Sequence, residues 1–221
     1  MRMESGLVLQ AEDTRGHQEG IKDFPDALLL DPAEASRAAA MEPLARTRFI
    51  LGRAALRRFA AELMDLPPGE LEASYSCPRC GSGLALSHGR PGYTFRGERL
   101  PLLLSMARTR HWVLLAGLPS PGTGMRLGVD AEDPARLDFD GFDGVALGGD
   151  ELLTVASLTG PALLRERARL WVRKEAWLKV TGDGLRTDPR TVQVRNRPEI
   201  ADLASSDTGL PARFAAAVAL G

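Results

Sequence analysis

Arg126-Leu127-Gly128-Val129-Asp130-Ala131-Glu132 is the stretch on which the reading of this chain turns. Leu127, Val129 and Ala131 alternate with Arg126, Gly128, Asp130 and Glu132, the period of a half-buried β-strand. Two positions apart on such a strand, Asp130 and Glu132 point to the same side. The helical counterpart lies downstream. Trp171, Glu175 and Lys179 recur every four residues and share one stripe of a helix that begins after Gly160, near Pro161, and runs to Val180. Thr181-Gly182-Asp183-Gly184 stops it. A third carboxylate brought beside Asp130 and Glu132 would complete an all-oxygen set of the kind magnesium prefers, with water and phosphate oxygens in the remaining positions. Each feature alone is equally the mark of a solvated strand end or a surface ion pair.

Working outward, the spacing of Leu44, Phe49, Leu51, Ala55, Leu56, Phe59, Ala60 and Leu63 predicts one long helix from Leu44 to Met64, ended by Pro67-Pro68. Its other face carries Arg46, Arg48, Arg53, Arg57 and Arg58. Leu102 to Ser105 and Trp112 to Gly117 read as a pair of buried strands joined as a hairpin. Ser74 to Gly97, rich in Gly, Ser and Pro, reads as a long, partly ordered loop, and Asp133 to Gly149 as a Gly/Asp loop. A short helix opens at Asp150-Glu151, and Val192 to Val194 and Phe214 to Leu220 read as strands. Met1 to Asp23 is polar and unpatterned, a loose arm with room for a short strand near Leu7 to Leu9. The order predicts an α+β fold of two similar halves with pseudo-two-fold symmetry, each a small antiparallel sheet packed with a long helix. The boundaries are an arm over 1–23, an N-terminal half over 24–125 and a C-terminal half over 126–221.

At 221 residues and 44% hydrophobic content the chain can bury a real core. With 28 basic and 29 acidic residues, nothing global calls for nucleic acid or an anionic membrane, so a charged partner must meet a local patch. The apolar runs fall short of the roughly 20 residues of a spanning helix, and the first residues do not resemble a secretory signal. A cytoplasmic location is expected.

Gly128-Val129-Asp130-Ala131-Glu132, followed about forty residues later by Trp171-Val172-Arg173-Lys174-Glu175-Ala176-Trp177-Leu178-Lys179, resembles the signature pair of the phosphopantetheinyl transferases, G-[IV]-D-x-E and W-x-x-K-E-A-x-x-K. Gly182-Asp183-Gly184-Leu185 resembles that family's G-x-G-L ending, Gly89-Arg90-Pro91 its Gly-Lys-Pro turn, and Leu103-Leu104-Ser105 its serine-containing strand. The resemblance covers roughly Thr47 to Leu220. Length and motif order are similar to the larger, monomeric, surfactin-synthetase-activating class, of actinobacterial-like type.

The resemblance implies a transferase that moves the phosphopantetheine arm of coenzyme A onto a serine of an apo acyl- or peptidyl-carrier protein, in polyketide, nonribosomal peptide or fatty acid biosynthesis. It implies that Asp130, Glu132 and Glu175 hold magnesium, that Glu175 or a water takes the serine proton, and that Lys179 contacts the transferred phosphate. Lys174 is expected to face phosphate. Arg48, Arg53 and Arg90 would hold the 3′-phosphate and adenine end of coenzyme A, with Ser105 and Met106 on the same wall. Met106 stands where the family most often has histidine, and Arg108 or Arg110 is the substitute phosphate donor.

Two other readings stay open. The departure at Met106 is what a weak or silent relative would show, one that binds coenzyme A or a carrier protein without transfer. Cys77-Pro78-Arg79-Cys80-Gly81 is similar to half of a zinc knuckle, with His88 near enough to be a third ligand and a fourth missing from the vicinity. The other reading of the two cysteines is a pair of free thiols that shape the coenzyme A entrance.

Overall fold

The computed structural model describes residues 6–15 and 25–221. In chain order its elements are β1 (Val8–Asp13), α1 (Pro32–Ala39), α2 (Pro43–Met64), β2 (Leu71–Ala73), β3 (Tyr75–Cys77), β4 (Gly81–Gly83), β5 (Tyr93–Phe95), β6 (Glu98–Arg99), β7 (Leu102–Thr109), β8 (Trp112–Pro119) and β9 (Leu127–Glu132). There follow α3 (Phe142–Ala146), α4 (Gly149–Val155), α5 (Gly160–Thr181), β10 (Ile200–Asp202), α6 (Ser205–Thr208) and β11 (Ala215–Leu220). The fold is α+β with small antiparallel sheets, as the pattern of the sequence predicts.

Two three-stranded antiparallel sheets each carry a long helix. The sheet β1-β8-β7 carries the 22-residue helix α2, and the sheet β10-β11-β9 carries the 22-residue helix α5. Alternation along the strands explains how the layers stack. Leu102, Leu104, Val113 and Leu115 turn toward α2, where they meet Leu56 and Phe59. Their neighbours Ala107, Leu114, Ala116 and Leu118 turn the other way, onto Leu127, Val129, Ala131, Ala216 and Val218 of the second sheet. Beyond it, Ala217 and Ala219 pack under Ala168, Val172 and Ala176 of α5. The order of layers is therefore helix, sheet, sheet, helix, with the central apolar layer joining the two halves.

Both helices cross their sheets at a glycine. A Cβ on Gly117 would lie 2.3 Å from Leu63 Cδ1, and one on Gly128 would lie 2.0 Å from the carbonyl oxygen of Ala176. Both end in a left-handed residue, Asp65 at φ 52° and Gly182 at φ 81°.

Several expectations are corrected. The arm is not loose over Val8–Asp13, which pairs antiparallel with Trp112–Gly117 of β8; residues 1–5 and 16–23 of that arm lie outside the described residues. The loop expected over Ser74 to Gly97 contains the β3–β4 hairpin and the strand β5, because main-chain pairing needs no apolar period. Asp133 to Gly149 contains a short 3₁₀ turn, Pro134–Leu137, and α3. Val192 to Val194 is not a strand: its carbonyls accept from Lys174 and Arg173 instead of from β11, whose free edge is taken by Ile200–Asp202. Among the described residues no helix is long and apolar enough to cross a membrane.

Candidate active site

The face of β9 opposite the central core carries Gly128, Asp130 and Glu132, and α5 lies on it. The absence of a side chain at Gly128 lets the helix approach closely enough to set Lys179 beside Asp130. Lys179 Nζ donates to Asp130 Oδ1 at 2.8 Å, to the Val129 carbonyl at 2.7 Å and to the Met106 carbonyl at 3.2 Å. It thus ties β7 of the first half to β9 of the second, and it also lines the cleft between them. Glu175, one turn earlier, is half-buried and has no hydrogen-bond partner among the described residues. Burial, then the charge of Asp130, raise its carboxyl above the usual range, with Lys179 opposing. Asp130 is raised as well, by burial first and less by Glu132, against the pull of Lys179.

Glu132 shares the side of Asp130 but is held by other partners. Its Oε1 accepts from Thr109 Oγ1 at 2.5 Å and from the Asp133 N–H at 2.8 Å, and Arg136 approaches to 3.6 Å. Asp130, Glu132 and Glu175 therefore border one site without their ligand oxygens all lying within 4.8 Å of one another. The donor set still fits a hard divalent cation: all oxygen, and with a repulsion between Glu175 and Asp130 that a cation would relieve.

At the seam of β7 and β9 opens a cleft of about 390 Å³. Its floor is Leu104, Ser105, Met106 and Leu127, and its rim carries Arg53, Arg90 and Arg186. Ser105 Oγ accepts from the buried Val129 N–H at 3.0 Å, fixing the seam. Arg90 Nη2 donates to the Val180 carbonyl at 2.6 Å, while its Nε is buried without a partner. Desolvation, then the charge of Arg126, lower the Arg90 pKa. Arg186 is a rim residue that the sequence reading did not select, although it stands two residues past Gly184 of the quoted turn.

The structure sorts the basic face of α2. Arg46 caps α1 through the carbonyls of Ala38, Ala39 and Met41. Arg57 is buried against Asp31 and Glu34, and Arg58 pairs with Asp26 and Glu12. Arg48 and Arg53 face the seam, although Arg53 also approaches Glu34 at 3.6 Å and donates to the Ser87 carbonyl at 3.1 Å. Arg53 stacks on Tyr75 with its Cζ 4.5 Å from the ring centroid and enters the cleft. Arg48 lines an adjoining hollow with Arg108 and Arg110. Arg108 and Met106 both lie over Gly52 of α2, where a Cβ would stand 3.0 Å from Arg108 Cδ and 3.4 Å from Met106 Sδ. Desolvation first, then the guanidinium groups of Arg53, Arg37 and Arg48, lower the Arg108 pKa.

One expected site residue is elsewhere. Lys174 does not face the cleft: its side chain is fully buried, paired with Glu151 at 2.6 Å and bonded to the carbonyls of Pro189 and Val192. Next to Glu175 in sequence, it points about 100° away around the helix, into the core.

Residues 126–218 match the model of the 4′-phosphopantetheinyl transferase superfamily. The matched segment carries Asp130, Glu132, Glu175 and Lys179. Comparison of the chain with curated proteins gives no match.

Proposed function

We propose that the protein transfers the 4′-phosphopantetheine group of coenzyme A to a serine of an apo acyl- or peptidyl-carrier protein, releasing adenosine 3′,5′-bisphosphate. The observation that carries this reading is the acidic face of β9, laid against Glu175 and Lys179 of α5 beside a cleft rimmed by arginines. The superfamily match over the same residues supports it.

In this reading Asp130, Glu132 and Glu175 hold magnesium. When bound, the ion neutralises the pyrophosphate and stabilises the charge that develops on the leaving group. Arg53 and Arg90 clamp the nucleotide end through charge-assisted hydrogen bonds. Arg48 and Arg108 serve the phosphate that a histidine would otherwise meet, Met106 being unable to donate. Ser105 and Met106 form the wall on which the substrate rests. Lys179, already at the seam, meets the transferred phosphoryl group with its ammonium. The carrier serine Oγ attacks the phosphorus, the bond to the bridging oxygen of adenosine bisphosphate breaks, and the serine proton passes to Glu175 or to a water beside it. A raised Glu175 carboxyl is suited to accept it. Positioning supplies most of the remaining acceleration. The chain acts as a monomer, in the cytoplasm, both halves of the cleft coming from one copy.

Asp130→Asn and Glu175→Gln should each remove transfer while leaving circular dichroism unchanged, and Glu175→Gln, which breaks no ion pair, should also leave thermal unfolding unchanged. Full activity in either variant rules out the assignment.

A further inference from the structure

Among the described residues, the one group of three or more His, Cys, Asp or Glu side chains with ligand atoms all within 4.8 Å of one another is not the acidic triad. It is Cys77, Cys80 and His88. Cys77 closes β3 and Cys80 precedes β4, so one hairpin turn carries both sulfurs. Gly81 follows in the left-handed region at φ 84°. His88 arrives on the returning chain. Ser76 and Arg90 exchange backbone hydrogen bonds of 3.0 and 2.8 Å, and a Cβ on Gly89 would stand only 2.4 Å from the Ser76 carbonyl oxygen. That contact holds the imidazole opposite the turn.

We propose that Cys77, Cys80 and His88 bind a zinc ion on the wall of the cleft. Thiolate and imidazole donors suit zinc, whereas magnesium selects oxygen, so the chain would carry two metal sites of different chemistry. One ion about 2.3 Å from each sulfur and about 2.0–2.1 Å from the imidazole nitrogen fits inside a triangle of this size. No fourth His, Cys, Asp or Glu joins the group among the described residues, which leaves a position for water or a small ligand. Cys77 and His88 both line the cleft. The ion would pin the β3–β4 hairpin to residues 88–91 and so fix Arg90 at the rim.

The test uses the full chain, purified without a histidine tag under reducing conditions and dialysed against metal-free buffer. Elemental analysis should find stoichiometric zinc, and cobalt(II) in its place should give the thiolate-to-metal charge-transfer band of a tetrahedral site. Cys80 is exposed, so Cys80→Ser should keep the fold by circular dichroism. Cys80→Ser and His88→Ala should each weaken zinc retention by more than the roughly 10- to 100-fold that loss of an outer-shell partner costs. Absence of both zinc and the cobalt band overturns the proposal. So does a Cys77–Cys80 disulfide in the reduced preparation, or zinc undiminished in both variants, which would place the ion elsewhere.

Discussion

Gly128→Ala tests whether the acidic strand is seated against its helix. The added Cβ would lie 2.0 Å from the Ala176 carbonyl oxygen and 3.1 Å from Lys179 Cβ. Heavy atoms rest at about 3.5 Å or more, so α5 has to retreat from β9 by roughly 1 to 1.5 Å. Overpacking of this kind costs about 1–3 kcal/mol, larger than the roughly 0.5–1 kcal/mol that alanine gains over glycine inside a strand. For a chain of this size each kcal/mol moves Tm by about 2–4 °C, so a fall of roughly 2–12 °C is expected by calorimetry. The colliding atom is backbone, so adding Ala176→Gly should not restore stability. Transfer activity should fall further than the unfolded fraction explains, because the same retreat parts Lys179 from Asp130. A Tm at or above that of the parent, with activity intact, would refute the seating of α5 on β9.

Three other outcomes are expected. Lys174→Met leaves Glu151 buried without its counter-charge, which should cost about 3–5 kcal/mol in denaturant unfolding while leaving the KM for coenzyme A of the folded fraction unchanged. Arg90→Gln removes a charge-assisted contact worth about 1.5–3 kcal/mol, so the KM for coenzyme A should rise roughly 10- to 150-fold with kcat nearly constant; an unchanged KM counts against its place at the rim. Because burial and Asp130 raise the Glu175 carboxyl, a cation bound there must displace a proton. Calorimetric magnesium affinity should therefore be full at alkaline pH and decline as pH falls through the raised Glu175 value; a flat profile removes Glu175 from the ligand set.

The parts of the site that local period controls were legible in the sequence. Alternation on 127–132 put Asp130 and Glu132 on one face, the spacing of four put Glu175 and Lys179 on another, and Gly128 is where the two meet. What depends on distant partners was not legible. Gln10 and Glu12 disguise a strand that exists because β8 offers it an edge, with Gln10 opposite Leu115 and Glu12 opposite Val113. Lys174 reads as a phosphate-facing lysine until Glu151, 23 positions earlier, is folded beneath it at 2.6 Å. Likewise, spacing made His88 only a possible companion of the cysteines; its approach rests on Gly89 packing against Ser76. Arg57 and Arg58 stand on the same basic helix face as Arg48 and Arg53, and only the placement of Asp31, Glu34, Asp26 and Glu12 shows that they are paired within the fold.

The most direct measurement is intact-mass analysis of apo acyl- and peptidyl-carrier proteins after incubation with the purified chain, coenzyme A and magnesium. Addition of one phosphopantetheine group, lost when a chelator is present and restored by magnesium, is the expected result. Carriers left unmodified while coenzyme A remains bound to the protein would contradict transfer and leave a binding protein in its place.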